Sequence, residues 1–158
     1  YEVVILATGL PEERRPRDVE VTLAAHLAAI PGAVGLMDPQ EGGFATDLAV
    51  TGQVIDIAAE DGHGLLFWNR GLNSALAEAE RAGRPAALID RRIEAGGGER
   101  RAARRALDRA AFAAGQEGSA IVVADGTAAA VTALFRWVQE GRAADVALAP
   151  VSALLRAE

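Results

Sequence analysis

Short apolar runs of Val, Ile, Leu and Ala recur along the chain, each followed by an amphipathic stretch. This alternation predicts repeated βα units around a parallel sheet. Six runs read as strands: Val3 to Ala7, Ala33 to Met37, Gly64 to Trp68, Ala86 to Ile89, Ala120 to Ala124 and Val146 to Ala149. None alternates with period two, as expected for strands covered on both faces.

Between these runs, Asp18 is placed to cap a helix that carries Val19, Leu23, Leu27 and Ile30 on one stripe and ends at Pro31-Gly32. Asp47, Asn73 and Thr127 are similarly placed. Their helices are expected to turn Leu48, Ile55, Leu76, Val131, Leu134, Phe135 and Val138 toward the sheet. A further Ala-rich helix is expected near Glu99 to Ala114. The 158 residues suit one domain, residues 1–158, whose N-terminus looks trimmed because Tyr1 opens directly into a strand.

Composition removes several functions. The formal charge of −6 argues against a nucleic-acid partner, which requires a dense positive field. All sixteen basic residues are Arg, so no mechanism that needs a Schiff-base or phosphate-binding lysine is available. With no Cys there is neither a disulfide framework nor a thiolate metal site. No apolar run approaches the roughly 20 residues of a membrane span. Arg100, Arg101, Arg104, Arg105 and Arg109 read as the solvated face of a helix whose other face is Ala103, Ala106, Leu107 and Ala110; a polyanion-binding face is the alternative. Gly96-Gly97-Gly98 lacks the lysine and hydroxyl of a phosphate loop and reads as a connection.

In parallel α/β folds ligands bind beyond the carboxyl ends of the strands, which singles out Thr8, Asp38, Asn69, Asp90, Asp125 and Ser152. Asp38, Asp90 and Asp125 are the candidate catalytic carboxylates, while Asn69, Arg70 and Ser152 are candidate ligand-binding residues. Such a set suits a hard cation held by oxygen ligands or an acid/base pair, and it equally suits helix caps and turns. His26 falls within a helix and His63 in the turn Asp61-Gly62-His63-Gly64, so a zinc site built from imidazoles is not expected. Ile121 to Thr127 resembles the strand and turn of haloacid-dehalogenase-type phosphatases, but Val123 occupies the place of their nucleophilic Asp. Thr8-Gly9-Leu10-Pro11 lacks the glycine spacing of a dinucleotide fold.

Several segments, in order, carry a family resemblance. Tyr1-Glu2-Val3-Val4 opens a strand, Pro31-Gly32-Ala33-Val34-Gly35 is followed by Phe44, and Gly64-Leu65-Leu66-Phe67 forms a Gly-Leu-x-Phe strand. Leu88-Ile89-Asp90, Gly118-Ser119-Ala120-Ile121 and Ala149-Pro150-Val151-Ser152 complete the series. Together they resemble the divergent polysaccharide deacetylase family, a branch of the NodB-like carbohydrate deacetylases. The resemblance implies an α/β fold of parallel βα repeats forming an incomplete or distorted (β/α) barrel.

It also implies a divalent metal held by an Asp and two His, whose bound water attacks an acetamide carbonyl. The Asn-His-Met-Gly signature of the family is occupied here by Asp38-Pro39-Gln40-Glu41, so Pro39 stands at the expected His. Asn69 replaces an Asp and Asp125 replaces a His, while Asp90 persists as the matched acidic position. The family's first strand, with its paired Asp, would precede Tyr1.

The expectation is therefore a catalytically degenerate domain with no metal cofactor, acting as a glycan-binding or scaffold module of the periplasm or cell envelope. The alternative is a live hydrolase that removes acyl groups from amino sugars with Mg²⁺ or Ca²⁺ held by carboxylates. Whether the chain is an enzyme is left open between these two. Exposed sheet edges also suggest a homodimer formed edge to edge.

Overall fold

The computed structural model describes residues 1–11, 13–93 and 100–155. Its contacts divide the chain into two compact units, Tyr1–Leu88 with Pro150–Glu158, and Ile89–Ala149. The first unit contains β1 (Val3–Leu6), α1 (Pro16–Ala29), β2 (Ala33–Met37), α2 (Leu48–Glu60), β3 (Gly64–Trp68), α3 (Ser74–Arg81) and β4 (Ala86–Ile89). The strands form a parallel four-stranded sheet in the order β1-β2-β3-β4, and among the described residues they do not close into a barrel. Every residue of β3 is buried, whereas β1, at an edge, leaves Val3 and Leu6 exposed.

The helices follow from local chemistry. Pro16 occupies the first turn of α1, where a missing N–H is no loss, and fixes the start of the helix. Arg15 is therefore the N-cap. Asp18, predicted as the cap, lies in the first turn, where its charge still suits the positive end of the helix. Asp47 caps α2 as expected, accepting from the backbone N–H groups of Ala49 and Val50. Such a cap contributes about 1 kcal/mol. Asn73 precedes α3 without a capping bond, because its Oδ1 accepts from the Arg70 N–H instead.

α1 packs on α2 and α2 on α3, so the helices form one layer. The core beneath them contains Val19, Leu23, Leu36, Phe44, Val54, Ile55, Leu65 and Phe67. Each large side chain buried there contributes about 1.5–3 kcal/mol. Phe44 and Phe67 meet edge to face at 5.9 Å, and Leu48, expected inside, is exposed at the start of α2.

The second unit contains β5 (Arg91–Ile93), α4 (Arg100–Glu117), β6 (Val122–Ala124) and α5 (Ala128–Gln139), with β5 and β6 paired in parallel. β5 was not expected, since Arg91 and Arg92 break the apolar run that marks the other strands. Its core is Ile93, Ala103, Ala106, Leu107 and Trp137. Arg101, Arg104, Arg105 and Arg109 are exposed on the opposite face of α4, as the solvated-face reading predicted. Glu99 and the three glycines at 96–98 lie outside the described residues.

Thr127 caps α5 through the Ala130 N–H. Contrary to expectation, Val131, Leu134, Phe135 and Val138 are exposed. The face that α5 buries is set by Trp137, whose indole N–H donates to Asp108 at 2.8 Å, together with Ala130. Desolvation raises the Asp108 carboxyl, but the bonds from Trp137 and Arg142 and the charges of Arg142 and Arg104 outweigh it and hold it below the usual range. Residues 146–149 form no strand; they follow a run of turns after α5, and Val146 packs on this core. No helix among the described residues is long and apolar enough to cross a membrane.

The β2–β3 pairing is tight. Gly35 faces Gly64 across the ladder, and a Cβ on Gly35 would sit 2.5 Å from the Gly64 carbonyl oxygen. Gly35→Ala is expected to lower stability by about 1–3 kcal/mol in urea unfolding. Gly52→Ala, in α2 with open space around it, is expected to raise stability by about 0.5–1 kcal/mol. Equal effects at the two positions would contradict this packing.

Candidate functional site

At the carboxyl end of β2 the chain turns back over its own core. Asp38 continues the ladder by donating its N–H to the Leu66 carbonyl at 2.9 Å, and its own carbonyl accepts from the Trp68 indole N–H at 2.9 Å. The Asp38 side chain is 1% exposed. Oδ1 accepts from the Ala45 N–H at 3.1 Å, while Oδ2 is buried without a hydrogen-bond partner. The loop closes this tightly because residue 43 is glycine: a Cβ there would lie 2.1 Å from Asp38 Oδ1. Thr51 then ties the loop to α2, its hydroxyl donating to the Phe44 carbonyl at 2.9 Å.

Two guanidinium groups frame this carboxyl. Arg70, in the loop after β3, places Nη2 3.8 Å from Asp38 Oδ2 and also donates to the Gln40 carbonyl. Arg14, in the loop after β1, donates to the Gly42 carbonyl at 3.3 Å and has a positive φ of 44°. Desolvation pushes the Asp38 carboxyl above the usual range; the Ala45 and Phe44 N–H groups and the charges of Arg70 and Arg14 oppose it without cancelling it. A pair at 3.8 Å with an exposed Arg70 is too loose to repay the burial of the charge.

Beside Arg70 lies a depression of about 40 Å³ lined by Ala45, Trp68, Leu72 and Asn73, among others. It has room for a water or a single hydroxyl, not a sugar ring. Asn69 is exposed, and its Oδ1 accepts from the Gly71 N–H and the Asn73 amide, both at 3.4 Å.

The structure thus brings together Asp38, Asn69 and Arg70. Of the remaining candidates, Asp90 and Asp125 belong to the second unit and Ser152 to the first. Asp90 accepts from the Ile121 N–H at 2.7 Å and donates its own N–H to the Ile121 carbonyl at 2.9 Å, holding the start of the β5–β6 pair. Asp125 is paired with Arg92 at 2.5 Å. Ser152 is not beyond a strand's carboxyl end, because residues 146–149 form no strand. It lies in a 3₁₀ turn, Val151–Ala153, where its N–H and hydroxyl both donate to Glu2 at the amino end of β1. Those two bonds hold the exposed Glu2 carboxyl below its usual range. Arg14 and Trp68 were missed. Trp68 reads as one more apolar strand residue, and Arg14 as one of several charges in a loop.

A divalent cation of the kind the resemblance implies needs three side-chain donors that converge and leave a place for water. Pro39 offers no donor, and His26 and His63 belong to the opposite, amino ends of the strands. Among the described residues no three of His, Cys, Asp and Glu come together to hold a metal. The residues present do not fit such a cation.

The sequence pattern of the divergent polysaccharide deacetylases matches residues 7–155. The chain belongs to that family. The fold is similar to that of an uncharacterized protein from Agrobacterium tumefaciens C58, with a TM-score of 0.74 and 20% identity. The likeness covers 97% of this chain and 66% of that one, so the chain spans just under two thirds of its neighbour's length. No protein of curated function matches it significantly.

This member of the divergent polysaccharide deacetylase family therefore carries, at its carboxyl-end rim, a buried carboxyl with arginine beside it. Because its folded-state pKa is raised above the unfolded value, Asp38 supports folding most below its unfolded pKa, and that support is lost as pH rises through the folded pKa. Asp38→Asn keeps an oxygen for the Ala45 N–H and removes the buried charge. It is expected to melt at or above the wild-type temperature at pH 7, with the gap shrinking toward pH 4, in thermal scans followed by circular dichroism. A deficit at pH 7 that grows with pH would contradict the assignment.

Proposed function

We propose that this divergent polysaccharide deacetylase domain binds glycan at the carboxyl ends of β2 and β3, in the cell envelope, without metal-dependent hydrolysis. The observation that carries the reading is Asp38: a buried carboxyl with one unpartnered oxygen stands behind Arg70, whose guanidinium is partly exposed at the rim. Arg70 offers a planar fork of donors to sugar hydroxyls or carboxylates, and Asn69 and Asn73 add amide groups beside it. Arg70 is held at the rim by its bond to the Gln40 carbonyl, with the Asp38 carboxyl 3.8 Å behind it. The depression at Trp68 and Asn73 accepts one hydroxyl, and a sugar ring outside it rests on Leu72, which is 97% exposed.

The alternative, a hydrolase with carboxylate-held metal, finds less support because the position of the expected His is Pro39. The test is a titration of the chain with a chitin tetramer and its deacetylated form, followed by amide chemical shifts. We expect shifts centred on Asp38, Asn69, Arg70 and Asn73, at least about tenfold weaker binding in Arg70→Ala, and no acetate release with Zn²⁺, Mg²⁺ or Ca²⁺ added. An absence of shifts overturns the binding reading, and metal-stimulated acetate release restores the hydrolase.

A further inference from the structure

In the second unit, α4 and α5 leave an open cavity of about 120 Å³ between them. Arg101 and Arg104 line it from α4, Thr132, Arg136 and Trp137 from α5, and Glu140 from the residue that ends α5. Arg105 and Arg109 are exposed on the same helix but do not line it. The solvated-face reading therefore fits those two, whereas Arg101 and Arg104 are set toward α5.

The charges at this cavity do not balance. Glu140 is the only acid among the described residues that line it. Its Oε2 is already shared, lying 3.6 Å from Arg104 Nη1 and 3.4 Å from Arg142 Nε. The Asp108 carboxylate is occupied by Arg142 and by the Trp137 indole N–H. Among the described residues the guanidinium groups of Arg101 and Arg136 have neither an ion pair nor a hydrogen bond. Arg101 and Arg104 are three residues apart on one helix, a spacing at which like charges repel. In a chain of net charge −6, three guanidiniums around one small cavity do not follow from composition.

The walls suit a small anion. Trp137 is 3% exposed and its indole is fixed by Asp108, so with Ala133 it gives the cavity a buried, apolar side. Bonds to a charge made against such a wall are screened less than those in open water. The Thr132 hydroxyl donates to the Ala128 carbonyl at 2.6 Å, which leaves donation into the cavity to the guanidiniums. Each of these is a planar fork of N–H donors that matches the oxygens of an oxyanion. Forks arriving from two helices suit the several oxygens of a tetrahedral phosphate better than the two oxygens of a flat carboxylate. The volume is that of about four waters at about 30 Å³ each, room for a phosphate group but not for a molecule that carries one.

We infer that this cavity is a binding site for a phosphate group, free or carried by a small molecule. Arg101, Arg104 and Arg136 donate to its oxygens, and anything esterified to it stays in solvent.

The probes are inorganic phosphate and glucose 6-phosphate, titrated into the whole chain at a constant ionic strength of about 0.15 M, where exposed charges beyond about 8 Å are screened. Saturable one-to-one shifts are expected in the Nε–H resonances of Arg101, Arg104 and Arg136 and in the Trp137 indole, with a melting temperature that rises with ligand concentration. Arg101→Gln combined with Arg136→Gln removes two groups without partners, so the melting temperature without ligand is expected to hold while binding weakens at least about tenfold. Arg105→Gln combined with Arg109→Gln removes the same charge from outside the cavity and is expected to leave binding unchanged. Tighter binding of glucose 6-phosphate identifies an esterified ligand and equal affinities identify the anion alone; both support the site. Shifts that never saturate, equal losses in the two double variants, or the same response to acetate overturn the inference. So does binding that survives Arg101→Gln with Arg136→Gln. The glycan titration reads residues of the first unit and this one reads residues of the second, so either site can fail without the other.

Discussion

The first unit depends on how the chain closes between β2 and α2. Within ten residues the loop seats Phe44 on Phe67, returns the Ala45 N–H to Asp38, accepts the Thr51 hydroxyl at the Phe44 carbonyl and ends in the Asp47 cap. Each contact needs the others. Residue 43 passes against the Asp38 carboxylate, which only glycine permits, while Phe44 and the Asp38 side chain are both buried and the Asp38 carbonyl accepts the Trp68 indole N–H. The perturbed carboxyl is thus a by-product of core packing that Arg70 and Arg14 exploit at the surface. Loops that carry function are commonly fixed in this way by the scaffold beneath them.

The two ends of the sheet consequently differ in character. At the carboxyl ends a single buried acid is framed by arginines, a donor-rich rim suited to hydroxyls and carboxylates. At the amino ends the groove between α1 and α2 is lined by Glu20, Asp56, Glu60 and Asp61, with no arginine among the described residues that line it. Membership in the divergent polysaccharide deacetylase family accounts for the sheet and its helices, but not for the chemistry at either end. At the carboxyl end Pro39 stands where the resemblance implies an imidazole, and Asp38 and Arg70 face each other beside it.

Much of the fold was legible because periodic burial is written directly into sequence. β2, β3 and β4 begin and end where their apolar runs do, and Asp47 and Thr127 cap the helices predicted for them. Errors arose where tertiary geometry decides between locally equivalent choices. α5 has two apolar faces in sequence, and the indole of Trp137, anchored on Asp108, selects the one that is buried. The run from Val146 to Ala149 has strand composition, but a strand exists only where a partner ladder receives it. At the site, Asp38, Asn69 and Arg70 were accessible from the rule that ligands gather beyond carboxyl ends. Arg14 was not, since its approach to the Gly42 carbonyl depends on a left-handed backbone turn that no pattern around it announces.

The most direct test of this account is the titration of the Asp38 carboxyl itself, followed through its side-chain carbon resonance from acid to neutral pH. Burial around an unpartnered Oδ2 predicts a midpoint above that of an ordinary aspartate, falling toward the ordinary value when Gly43→Ala opens the loop. A midpoint at or below the ordinary value would mean that Arg70 and the loop N–H groups hold the carboxylate fully ionised, and the site would then be a simple ion pair rather than a buried acid behind an arginine.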